Sequence, residues 1–187
     1  DLCEVVFTYT EEASMLPGNV NYKVIYHVFS DKNEIITYHN ATTDQNTVVN
    51  MTNHAYFNLS GNCQRTILNH NLYLPCDKYT KLNNDLITIT IDPVNEVMDF
   101  RNNHNVGKYV EDTSLQNHIA KGYDHCFIKE DANNPLIATL TDSLSGISME
   151  ISSDYPSVVF YSGCYPDQFL MNEDKIEGMP LIKRFYD

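Results

Sequence analysis

With 187 residues, 42% of them hydrophobic, the chain is long enough to bury one sizeable core, and sandwiches or barrels of about 200–250 residues commonly form a single unit. Its 25 acidic against 12 basic residues leave a formal net charge of −13, which excludes nucleic acid and acidic membranes as partners, because affinity for polyanions comes from Lys and Arg. No apolar run approaches the roughly 18 residues of a membrane span and no basic-then-apolar leader opens the chain, so a cytoplasmic location is expected.

In chain order, the sequence begins on Asp1 rather than Met and enters the alternation Val5, Phe7, Tyr9 at once, as a piece cut from a longer polypeptide would. Val20, Tyr22, Val24, Tyr26 and Val28 then put five apolar side chains on one face of a strand. Ser30-Asp31-Lys32-Asn33 reads as a turn into a second strand over 35–39, which makes a hairpin. Further strands are expected over 47–51, 72–74, 87–91, 137–141, 147–152 and 158–161, with one more beginning near Asp124. Helical character is confined to 114–120. The fold class is therefore all-β, a large antiparallel two-sheet β-sandwich, with residues 1–187 in one domain.

The long polar loop over 102–121 is where a β scaffold would grip a ligand. The seven glycines stand singly and form no G-x-G-x-x-G phosphate cradle. Five cysteines, Cys3, Cys63, Cys76, Cys126 and Cys164, contain no Cys-x-x-Cys pair and read as reduced, mostly buried thiols. Asn40, Asn50 and Asn58 head glycosylation sequons, but Asn58 lies inside the most informative motif, where a glycan would block the site; this too favours the cytosol.

That motif is Asn53-His54-Ala55-Tyr56-Phe57-Asn58-Leu59, two amides, an imidazole and two aromatics where a strand should give way to a loop. From the residues alone, His54 is either a satisfied structural histidine or a functional one. A second cluster is Gly122-Tyr123-Asp124-His125. A carboxylate beside an aromatic suits a sugar, the oxygens accepting from hydroxyls while a ring covers an apolar face, and a turn-capping Asp is the plainer alternative. Asp99-Phe100-Arg101, the third, is a binding element or simply an Asp–Arg pair.

In this order the three clusters resemble the aldose 1-epimerase (galactose mutarotase) family, and its fungal-type members in particular, whose sequences carry Asn-His-x-Tyr-Phe-Asn-Leu, Asp-Phe-Arg and Gly-Tyr-Asp-His. Pro17-Gly18-Asn19, Ala41-Thr42-Thr43-Asp44 and Asp77-Lys78-Tyr79-Thr80 add to the similarity, which covers essentially the whole chain. The resemblance implies a sandwich that interconverts the α and β anomers of a free aldohexose. His54 would be the general acid at the ring oxygen, Asp124 would hold sugar hydroxyls, and Asn53 and Tyr56 would shape the pocket. An imidazole ordinarily titrates near pH 6.5 and can give and recover a proton at neutrality. The resemblance implies no metal and no organic cofactor, and the seven histidines show no paired ligand spacing.

Against the family pattern, the catalytic base, a glutamate, is expected beyond Asp187, and an arginine and a second histidine before Asp1, so the chain matches a central and C-terminal part. It is expected to be nearly inactive alone, since each general acid–base step contributes about 10²–10⁴-fold. The family's Pro-Gly-x-Gln reads Pro156-Ser157-Val158-Val159, and a valine cannot bond a hydroxyl. The usual Pro-Thr-Gly after Asp85-Leu86-Ile87 is replaced by Thr88-Ile89-Thr90, so that loop should differ in shape. Three rivals stand beside the enzyme. A non-catalytic carbohydrate-binding module and a sandwich whose motifs serve packing are two. The third, a hexose-6-phosphate epimerase relative, fits poorly with so few arginines, mainly Arg65, Arg101 and Arg184.

Overall fold

The structure, a computed structural model, describes residues 1–61, 65–110, 112 and 115–164. The chain forms two compact units, Asp1–Tyr56 and one beginning at Phe57. Cys63 and Arg184, named above, lie outside the described residues, as does Ser114 at the start of the predicted helix.

The first unit is a three-stranded antiparallel meander of β1 (Leu2–Glu11), β2 (Val20–Phe29) and β3 (Ile35–Thr43), with β2 central. The β2–β3 hairpin forms where expected, Val28 opposite Ile35 across the Ser30–Asn33 turn. Its open end is locked by two of the supporting motifs: Asp44 accepts from the backbone N–H and the side-chain amide of Asn19, each at 2.8 Å. Gly18 is required there. Its φ is +83°, and a Cβ would stand 2.9 Å from Thr43 Oγ1.

The expected strand over 47–51 does not form; residues 46–58 carry no regular structure. Thr47-Val48-Val49 has strand propensity, but propensity without a neighbouring strand to bond does not make a strand, and none of the described residues pairs with this segment.

The second unit is a sandwich of two four-stranded antiparallel sheets. One has the order β10 (Ile147–Ser152), β9 (Leu136–Asp142), β4 (Asn71–Tyr73), β7 (His104–Asn105). The other runs β11 (Ser157–Tyr161), β8 (Asp124–Lys129), β5 (Cys76–Leu82), β6 (Thr88–Pro93). Leu72, Ile137 and Ala138 from the first sheet pack with Cys76, Tyr79 and Phe127 from the second in one buried cluster that also takes in Met98, Phe100 and Tyr123. Burying each of Leu74, Phe100 and Phe127 contributes about 2 kcal/mol. Among the described residues the one α-helix is α1 (Leu115–Ala120), so the antiparallel all-β architecture expected from the alternation is the one found. No helix among the described residues is long and apolar enough to cross a membrane.

The central strand β5 was not among the expected strands. Its buried residues, Cys76, Tyr79 and Leu82, recur every third position because the ladder is irregular between Cys76 and Lys78 and again between Lys81 and Leu82. Each irregularity shifts the period-two pattern by one residue.

Candidate functional site

In the first unit, Asn53 Oδ1 accepts the Ala55 N–H at 3.0 Å, an Asx turn that bends the backbone at His54. The His54 and Tyr56 rings then meet edge to face, centroids 5.3 Å apart, and both side chains are exposed. Three of the residues singled out are thus brought together on one short exposed bend.

In the second unit, the rest of that motif is anchored. Asn58 donates its amide to Arg65 O (2.8 Å) and accepts the Ser60 N–H (2.9 Å), so the amide heading this sequon is engaged at both ends. Leu59 N–H donates to Nε2 of the fully buried His70 at 2.8 Å, and Ser145 Oγ donates to Leu59 O at 2.6 Å. Arg65 reaches the buried Asp142 at 2.6 Å and holds its carboxyl well below the usual range. Burial pushes the His70 imidazole down, opposed by Asp142 and reinforced by Arg65. This brace was not anticipated, since its partners lie 77 and 86 residues apart in sequence.

Asp124 opens β8, opposite Tyr161 of β11. The two residues before it form its support. Gly122 has φ +137°, and a Cβ would stand 2.7 Å from Ser162 Oγ. Tyr123 is wholly buried: its N–H donates to Ser162 Oγ at 3.0 Å and its hydroxyl donates to Val97 O at 3.0 Å. Held by this frame, the half-buried Asp124 carboxyl is pushed upward by desolvation alone. His125 points the other way, into the core, 1% exposed, its Nδ1 accepting the Asp124 N–H at 3.2 Å. Burial pushes this imidazole down to about 4, so it is neutral in the folded protein.

The Asp99–Arg101 pair is real. Arg101 donates twice to the Asp99 carboxylate, at 2.9 and 2.7 Å, which lowers the one pKa and raises the other. Between them Phe100 turns inward and meets the Tyr123 ring edge-on at 5.1 Å. The Asp-Phe-Arg and Gly-Tyr-Asp-His clusters therefore share one aromatic foundation, whereas the His54 bend belongs to the other unit. Among the described residues no His, Cys, Asp or Glu cluster is arranged to hold a metal. Of the described cysteines, Cys76 and Cys164 are buried thiols, Cys126 is half-buried and Cys3 is exposed.

The profile of the family described as Aldose 1-epimerase matches residues 2–184. The chain belongs to this family. The galactose mutarotase of Rattus norvegicus is 33% identical over 154 residues, 81% of this chain and 43% of that protein. The aldose 1-epimerase of Haemophilus influenzae is 31% identical over 152 residues, 80% of this chain and 44% of its own length. The crystal structure of a galactose 1-epimerase from Lactobacillus acidophilus superposes with a TM-score of 0.74 at 21% identity, over 88% of this chain and 47% of that one, which shows the fold. The chain thus spans less than half the length of the relatives it matches. The aldose 1-epimerase profile takes in all three clusters, from Asn53 to His125.

Proposed function

We propose that the protein interconverts the α and β anomers of a free aldohexose such as galactose or glucose. Asp124 is the observation that carries this reading. It is a half-buried carboxylate, raised by desolvation, presented at a strand end beside Tyr161 on a frame of Gly122, Tyr123 and Phe100. Such a group accepts hydrogen bonds from sugar hydroxyls, and an adjoining ring covers an apolar sugar face.

In the proposed reaction His54 gives a proton to the ring oxygen while a base takes the proton of the anomeric hydroxyl. The bond between C1 and the ring oxygen breaks, leaving an open-chain aldehyde. Rotation about C1–C2 and reversal of both proton transfers close the other anomer, with no net change in protons or electrons. Asn53 and Tyr56 fix the backbone bend and the ring plane at His54. We assign the base to none of this chain's residues, so a 187-residue polypeptide assayed by itself should show little acceleration.

Optical rotation of freshly dissolved α-D-galactose tests the reading on the protein as its own gene encodes it. His54→Ala should lower kcat by about 10²–10⁴-fold, the usual contribution of one acid–base group, and Asp124→Asn should chiefly raise KM. No acceleration over buffer by the wild type, with galactose still bound, would establish the non-catalytic sugar-binding module instead.

A further inference from the structure

The sheet face that carries Asp124 is chemically divided. In the β11–β8 ladder Tyr161 stands opposite Asp124 and Val159 opposite Cys126, so these four side chains share one face, while His125, Phe127, Val158 and Phe160 fill the other. Across β5 and β6 the same row continues through Thr80 to Ile91, its register partner. Val159 is 63% exposed and Ile91 57%, so the row beside Asp124 offers solvent mainly an aliphatic surface. Asp124 and Val159 are diagonal neighbours on adjacent strands, about 7–8 Å apart, which is within reach of a single hexose ring.

We propose that a sugar held at Asp124 turns a carbon without a hydroxyl, a methylene or methyl group, toward Val159, so that the site prefers deoxyhexoses to fully hydroxylated hexoses. This rests on the anomer-interconversion reading and names the substrate class of the same site. A hydroxyl aimed at Val159 or Cys126 gives up water and gains no strong partner, whereas a methyl or methylene there is buried favourably. Aliphatic surfaces reject an added hydroxyl only modestly, by up to about 10²-fold, and the preference expected at so open a position is about tenfold.

The test measures kcat/KM for D-galactose, 6-deoxy-D-galactose and 2-deoxy-D-galactose with the natural gene product, each divided by that sugar's own rate in buffer. At least one deoxy sugar should exceed galactose by about tenfold. Val159→Thr has nearly the same shape and strand propensity but adds a hydroxyl, and should bring the ratio to within about threefold of unity; Val159→Ile should preserve it. Galactose equal to or ahead of both deoxy sugars overturns the proposal and leaves the anomer reading intact, as does a ratio unchanged by Val159→Thr. Acceleration of no sugar at all overturns both.

Discussion

At the scale of single residues, Asp124 and His125 show adjacent side chains pushed oppositely by one cause. Desolvation raises the carboxyl and lowers the imidazole. His125 ties this to stability. Above about pH 6.5 neither the folded nor the unfolded chain protonates it. Between there and about 4 the unfolded chain binds a proton that the folded one refuses, so stability is lost as pH falls. The loss approaches about 3 kcal/mol by pH 4. His125→Leu should be less stable than wild type at pH 7, because the Asp124 N–H loses its acceptor, yet should lack this component of the acid slope. Urea unfolding at pH 7 and pH 4.5 for both proteins checks it; parallel slopes would contradict it. The Gly-Tyr-Asp-His cluster was readable in the sequence as a polar group at a strand start. That its histidine faces the core and its aspartate the open face follows from the pleat, once β8 is located.

At the scale of elements, what was legible depended on whether the period of two stays unbroken. β2 carries an apolar residue at every second position from Val20 to Val28, a polar turn separates it from β3, and both strands were found within a few residues. β5 sits at the centre of its sheet and was missed, because its two irregularities leave Cys76, Tyr79 and Leu82 three apart. Residues 47–51 failed in the converse way, with strand-forming side chains and no ladder. The brace formed by Arg65, Asp142 and Ser145 left no local signal at all, since no short window contains both ends of it. Arg65 favours the ionised form of Asp142, so the contribution to stability is complete above the ordinary aspartate range near pH 4 and declines as pH falls below it. Asp142→Asn should reduce the melting temperature at pH 7 and remove part of the difference between pH 5 and pH 3. A mutant whose acid sensitivity equals that of wild type would show that the pair contributes nothing to it.

At the scale of the whole molecule, a charge of −13 coexists with wide apolar exposure on the first unit. Phe7 is 59% exposed, Tyr9 64% and Ile35 65%, and among the described residues both β1 and β3 are edge strands of a three-stranded sheet. Long apolar edges invite pairing with a second chain, and like charge opposes it at low salt. A polypeptide of residues 1–187 should therefore self-associate increasingly from 50 to 500 mM salt, and Ile35→Lys should suppress this; light scattering that is flat with salt would refute it. The same view gives the β9–β10 hairpin an unexpected standing. Hairpin tips are the usual places to splice in a tag or to open new termini, and this one looks suitable, with Leu144 69% exposed and nothing within 4 Å of a Cβ at Gly146. Yet Asp142 and Ser145, on either side of that tip, are what grip Arg65 and Leu59. An insertion after Ser143 would leave the sandwich core untouched and still unfasten the chain five residues past His54, making this hairpin a remote handle on the motif for anyone engineering the protein.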